Sequence, residues 1–264
     1  VFILLVLMAI GADVISANVT HKKYSDQSLL NAFKPPLSPG YILGADELGR
    51  DVFTRIVYGA RVSLSVAGLT VLIALTIGTL IGLLAGFYGG VADNVLMRFV
   101  DIVIAFPFLI FVIAFISIFG VGLLGVYVGL ISFGWALYAR ITRGEMLALR
   151  EAQYISAART LGLPTRRILW VHALPNLLRP NLVFSMAGIV LNILALAGLS
   201  YLGLGVQPPS PEWGAIVAEG QTYLFTQWWI STLPGLFIVL VGVGFSLLGD
   251  GIADRLGRDF KLTT

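Results

Sequence analysis

Cysteine is absent from this chain. No disulfide framework and no thiolate metal site can therefore exist. Lysine is nearly as scarce, with only Lys22, Lys23, Lys34 and Lys261, and none follows a G-x-x-x-x-G-K-[ST] loop. A conventional P-loop is thereby excluded, so ATP chemistry is not expected on this polypeptide. The two histidines, His21 and His172, lie far apart and no H-E-x-x-H occurs. A shared metal site is not expected, and His172 reads as a packed or interfacial residue. No Ser-His-Asp arrangement can be drawn, and we expect no catalytic residue, cofactor or metal here. Charge is the last scarcity: 12% of residues, about half the share of a soluble domain.

What fills the space is apolar. Hydrophobic residues make up 58% of the 264, and mean hydropathy is +0.92. That composition predicts an all-α integral membrane protein. Uncharged runs locate six spans of about 20 residues. They fall at 1–17, 62–86, two within 102–139 joined by a tight hairpin around Gly120–Gly125, 183–205 and 230–249. The opening "VFILLVLMAIG" has no initiator Met. It resembles a signal-peptide core but lacks a basic flank and a cleavage pattern. We expect a first membrane helix that has lost its lead-in. The glycines of "GTLIGLLAG", Gly78 to Gly86, read as close helix packing rather than ligand contacts.

Six spans put both termini on one side. That side carries Arg98, Arg140, Arg143, Arg150, Arg159, Arg166, Arg167, Arg179, Arg255, Arg258 and Lys261; the other carries Lys22, Lys23, Lys34, Arg50, Arg55 and Arg61. The excess predicts cytoplasmic termini and a cytoplasmic 140–182 loop. The expected outer segments are 18–61, whose "KPPLSP" and "ADELGRD" suggest a small folded or surface-lying element, and 206–229. In the latter, three prolines of "QPPSPEWG" stop a helix, and Trp213, Trp228 and Trp229 suit a membrane–water belt. Asp13, Asp101 and Asp250 sit near span ends. Headgroup contact or helix capping is the simpler reading; ion coupling is the alternative. Asp250, between Gly249 and Gly251, reads as part of a helix-ending turn. Pro107 and Pro234 could break their helices.

The stretch "SAARTLGLPTRRILWVHALPN", 156–176, is polar and basic in an oily chain. Leu147, Tyr154, Ala158 and Leu161 share one helical face. Gly162 stands where a helix ends with positive φ, and Pro164 at the first turn of a second helix that is expected to stop at Pro175. A topological anchor would explain the arginines but not the corner. A DNA-binding helix-turn-helix is disfavoured, because both ends are tied to the bilayer. A docking element for a cytoplasmic partner remains.

This stretch resembles the EAA loop of ABC importer permeases, matching at Ala157, Ala158, Gly162, Leu174 and Pro175, with Ser156 in place of the first Glu. Val171 or His172 falls near the usual Ile. "LGADELGRDVFTRIVYGARVSLSVAG" (43–68), "LSYLGLGVQPPSPEWG" (199–214) and "PGLFIVLVGVGFSLLGDGIADRL" (234–256) are similar to the DppC/OppC-type permease subunits of the dipeptide/oligopeptide/nickel branch. The resemblance implies a type I importer permease fold with a cytoplasmic coupling-helix loop, in a bacterial or archaeal cytoplasmic membrane. Its implied partners are a homologous DppB/OppB-type permease, two cytoplasmic ABC ATPases carrying ATP and Mg, an extracytoplasmic binding protein and a peptide. Nucleic acid is not among them. The ATPase-docking residues it implies are Ser156, Ala157, Ala158, Arg159, Gly162, Leu163, Pro164, Thr165 and Arg166. Nickel or glutathione as cargo, and a secondary transporter or channel using the three aspartates, are the alternatives.

Overall fold

A computed structural model describes residues 2–261, with side chains from 3 to 255. Its α-helices are α1 Phe2–Ile10, α2 Ala12–Ile15, α3 Val52–Tyr88, α4 Gly90–Ala105, α5 Phe108–Phe119, α6 Leu123–Leu149, α7 Gln153–Thr160, α8 Thr165–Arg167, α9 Leu174–Tyr201, α10 Trp213–Gly220 and α11 Trp229–Lys261. Wide π turns follow α2 (Ser16–Thr20) and α8 (Ile168–Ala173). Among the described residues no strand forms beyond the isolated bridges Ser38–Tyr41 and Ala45–Asp51. Four helical stretches are long and apolar enough to cross a membrane, and six if each of two bent pairs counts as one span. The chain divides into two compact units.

The first unit comprises Val1–Gly68, Phe115–Tyr127 and Ile189–Leu248. Its opening span is bent by 71° around Gly11. Such a break frees backbone carbonyls that lipid cannot satisfy. Arg61 of α3 supplies the donors, 3.0 Å from Ala9 O and 3.0 Å from Ile10 O. The same guanidinium reaches Asp13 at 2.9 Å, and the Tyr58 hydroxyl donates to Asp13 at 2.7 Å. Asp13 thus belongs to a staple across the bend. The hairpin between α5 and α6 turns on Gly120 and Gly122, at φ 95° and 123°, as the sequence predicts.

α3 starts at Val52, ten residues ahead of the expected span. The reason lies in the "ADELGRD" segment before it. The Asp51 carboxylate accepts from Thr54 N at 2.7 Å, a cap for the first turn. Asp46 accepts from Arg50 Nε and Arg55 Nη1, each at 2.6 Å, and both arginines also reach Glu219 of α10. α10 is held at its other end by Glu212, which accepts from Gly214 N, Ala215 N and Ser63 Oγ. Trp213 is fully buried, its Nε1 donating to Ile56 O at 3.0 Å. Trp229 is buried too, bonded to Ala45 O. Of the three tryptophans expected in an interfacial belt, only Trp228 is exposed. The other two are core residues whose indole N–H groups found backbone acceptors.

The second unit comprises Leu69–Ala114, Val128–Gly188 and Gly249–Thr264. Gly78, Gly82 and Gly86 of α3 face α6, as the packing reading of "GTLIGLLAG" predicts. A Cβ on Gly78 would stand 2.5 Å from Tyr138 Cβ, on Gly82 2.7 Å from Thr142 Cβ, and on Gly86 2.7 Å from Met146 Cβ. A glycine every fourth residue lets these two backbones touch. Beside this seam Asn181 of α9, fully buried, donates to Thr142 Oγ1 at 2.8 Å. Arg143 donates to Asp93 from Nε and Nη2 at 2.7 and 2.6 Å, and Arg140 reaches Asp101 at 2.6 Å.

Pro107 does break its span: α4 and α5 meet there at 92°. Three other expectations fail. Pro234 does not break its helix but lies inside α11. The helix after the 156–164 corner does not stop at Pro175, but continues from Thr165 to Tyr201. The π turn Ile168–Ala173 ends two residues before Pro175, and a wide turn gives the ring room where an N–H is missing. Nor does a helix end at Asp250, which is exposed within α11.

Candidate functional site

The polar stretch after α6 folds as a rigid corner. α6 ends at Leu149 and α7 begins at Gln153. The face expected from Leu147, Tyr154, Ala158 and Leu161 therefore does not form, because no single helix carries all four. The buried pair of α7 is Ile155 and Ala158, which pack with Ile168, Phe87, Leu149, Ala152 and Leu163. Tyr154 and Leu161 point outward.

Gly162 adopts φ 73°. Its N–H donates to Arg159 O at 2.9 Å, and Leu163 N–H donates to Ala158 O at 3.1 Å. These two bonds form a Schellman closure, and Leu163 packs on the apolar cluster that contains Ala158. No atom lies within 4 Å of where a Gly162 Cβ would be. The glycine is thus required by backbone conformation and not by crowding. Pro164 then starts the next helix as its cap residue, accepting from Arg167 N at 2.8 Å.

The nine residues singled out from the sequence are contiguous around this corner. Ala158 is its buried hub and Leu163 is half-buried. Ser156, Ala157, Arg159, Gly162, Pro164, Thr165 and Arg166 are exposed. The Arg159 guanidinium sits 5.1 Å from the Phe87 ring centroid, so its aromatic neighbour fixes its position. Sequence reasoning missed three outward-facing apolar groups. Leu161, expected to share a helical face with Ala158, is instead 80% exposed at the tip. Trp170 and Val171 join Pro164, Arg166 and Arg167 around a shallow cavity of about 530 Å³. The i, i+3, i+4 spacing of Arg167, Trp170 and Val171 carried that signal.

The other polar constellation surrounds α10. Glu47, Asp46 and Glu219 bring their oxygens within 4.8 Å of one another, and Arg50 and Arg55 lie among them. Both arginines bond the same Asp46 and Glu219 oxygens, so the group is an ion-pair cluster rather than an open cation cage. Glu47 accepts from Arg50 at 2.8 Å. Burial, with the Asp46 charge adding to it, holds its carboxyl above the usual range. The aspartates of the ion-coupling alternative are elsewhere: Asp13 and Asp101 each pair with an arginine.

Comparison with known proteins places this architecture. The fold is that of a type I ABC importer permease. Two inward-facing structures of the MetNI methionine ABC transporter match at TM-scores of 0.61 and 0.63. They are 20% identical, covering 76% and 77% of this chain and 95% and 96% of theirs. Residues 78–262 match the model of the binding-protein-dependent transport system inner membrane component. A dipeptide transport system permease protein DppC of Alkalihalophilus pseudofirmus is 38% identical over 97% of this chain and 83% of its own length. A glutathione transport system permease protein GsiD of Pectobacterium atrosepticum is 41% identical over 85% and 74%. An oligopeptide transport system permease protein OppC of Bacillus subtilis is 38% identical over 97% and 82%. The chain belongs to the family of binding-protein-dependent transport system inner membrane components. It is a multi-pass permease subunit of an ABC importer, a transport component rather than an enzyme, in a system that works with ATPases and a binding protein.

Proposed function

We propose that this chain is the C-type permease of a peptide importer, carrying di- or oligopeptides, and that its 156–166 corner is the coupling element for the ATPases. The relatives named for dipeptides, oligopeptides and glutathione, itself a peptide, share a backbone of amides with charged ends as cargo. The observation that carries the coupling role is the Schellman-closed corner at Gly162. It presents seven exposed residues from a short, internally packed element. A contact that transmits force must not yield, and a capped corner with its own apolar hub meets that need. ATP and Mg bind on the partner ATPases, in accordance with the missing P-loop.

Both termini and the corner face the cytoplasm in this reading, and the 21–51 segment faces outward. Closure of the ATPases moves the corner. The motion passes to the membrane helices at 126–140 and 183–205, which re-aim a cavity shared with a homologous permease. The experiment is ATPase activity of the complete complex in nanodiscs, with binding protein and dipeptide. Wild type is stimulated by the loaded binding protein. Gly162→Asp, with a charged residue in left-handed backbone at the contact, loses stimulation and ATPase co-purification. Full coupling in that variant would refute the assignment.

A further inference from the structure

Near the end of α6 and the start of α9, the second unit holds an open cavity of about 800 Å³. Glu145, Tyr154, Asn176 and Arg179 give it four polar side chains, set between apolar walls that include Leu149, Pro180 and Val183. α11 contributes Ala253 and no charge. Glu145 and Arg179 do not pair with each other. The other ion pairs of this unit, Arg140–Asp101, Arg143–Asp93 and Arg150–Glu151, leave both of them out. An acid and a base thus face one cavity, and neither has a partner among the described residues. Uncharged groups stand between them. Asn176 Nδ2 donates to His172 O at 2.7 Å and to the Tyr154 hydroxyl at 3.4 Å, which leaves Asn176 Oδ1 to accept and the phenol proton to be donated. Pro180 has no N–H for the Asn176 carbonyl one turn back. Burial holds the Tyr154 phenol above its ordinary range while the Arg179 charge pulls it the other way. The guanidinium's field therefore reaches Tyr154.

A single exposed charge is solvated and needs no explanation. Two of opposite sign across one mostly apolar cavity, neither of them paired, match a ligand that carries both. A simple anion would meet Glu145, and a simple cation would meet Arg179. We propose that the cavity binds a short peptide as its zwitterion. The ammonium sits on Glu145, the carboxylate on Arg179 and the Tyr154 hydroxyl, and the peptide N–H on the Asn176 acceptors. The volume falls within the roughly 300–1,000 Å³ of small-molecule sites. A phosphatidylethanolamine headgroup carries the same two charges but has no amide for Asn176. The topology of the importer reading, on which this part rests, opens the site to the cytoplasm, the side on which carried peptide arrives. Its occupant ties α6 to α9, the two helices that the 156–166 corner joins.

The chain lacks cysteine, so Ala148→Cys on the cavity wall gives one thiol whose modification by a maleimide is read on this subunit alone. The complete complex is used in nanodiscs of phosphatidylglycerol, without binding protein. Dialanine slows the modification. N-acetyl-dialanine, which has no ammonium, and dialaninamide, which has no carboxylate, each need about tenfold more for half-protection, as for loss of one charged contact. Adding Glu145→Gln abolishes the penalty for acetylation and keeps that for amidation; adding Arg179→Gln does the reverse. A merely structural role for either residue would not choose between the two ends of a ligand. Absence of protection by dialanine overturns the proposal, and so does protection that ignores both caps or penalties that the two substitutions leave unchanged. A thiol that the maleimide never reaches overturns it in favour of another subunit covering the cavity. Protection by added phosphatidylethanolamine but not by dialanine overturns it in favour of a lipid site. ATPase stimulation by loaded binding protein, measured in the same discs, tests the importer reading separately. Stimulation without dialanine protection leaves that reading standing and removes the site; protection without stimulation does the opposite.

Discussion

Gly162 shows how one residue's backbone can be separated from its surroundings. Its φ of 73° is left-handed, yet the space its Cβ would fill is open. Substitution there meets only conformational cost. Alanine costs about 1 kcal/mol, asparagine less, and valine more because it is β-branched. We expect ATPase co-purification to fall in the order Gly, Asn, Ala, Val at position 162. An order following side-chain size alone would mean that crowding, not φ, governs the corner. Glu47 offers a second single-residue case. Its carboxyl is raised by burial and by Asp46, so the folded 21–51 segment holds that proton more tightly than the unfolded chain. This contribution to stability is present at low pH and is lost as pH rises through the raised value. Glu47→Gln should therefore flatten the pH dependence of this segment's stability above the ordinary carboxylate range. Hydrogen exchange of the 28–50 amides at a series of pH values measures it, and an unchanged slope would exonerate Glu47.

Between elements, glycines with the same name do opposite work. Gly82 has α6 against it, with Thr142 Cβ 2.7 Å from a would-be Cβ, whereas Gly144 of α6 has nothing within 4 Å. Gly82→Ala must push two backbones apart, at about 1–3 kcal/mol. Gly144→Ala meets no neighbour and gains helix propensity of up to about 1 kcal/mol. The thermal midpoint should fall for the first and hold or rise for the second; two changes of equal sign would break the picture. The spacing of Gly78, Gly82 and Gly86 was legible in the sequence because close packing of helices has a period. So was the corner, because Gly162 and Pro164 are local signals. Trp213 was not legible. Its burial depends on Ile56, 157 residues away, and a tryptophan beside prolines reads equally as belt or core. The passage of the helix through Pro175 was hidden for a related reason. The π turn that admits the ring is set by packing of Leu169, Ala173 and Leu177 against Leu83 and Met146, which no local pattern announces.

For the whole molecule, the deciding question is what supplies the energy. Ion coupling would need an acid free to exchange its proton within the membrane. Asp13 instead closes the bend of the first span with Tyr58 and Arg61, Asp93 takes Nε and Nη2 of Arg143, and Asp101 takes Arg140. Each of these three carboxylates has a cation as its partner, so their charge is stored in pairs and not presented for transport; Asp250, the other candidate, lies exposed within α11. Asp101→Asn and Asp13→Asn should therefore retain ATP-driven peptide uptake in proteoliposomes of the complete complex, with losses that follow protein stability. Uptake should also persist when a protonophore collapses the proton gradient, and cease when ATP is withheld from the ATPase side. If uptake instead followed the proton gradient, or vanished in Asp101→Asn while the complex stayed assembled and hydrolysed ATP, the energy source would lie in this chain. The ion pairs would then be the gate of a coupled carrier, and the corner at Gly162 a passive anchor.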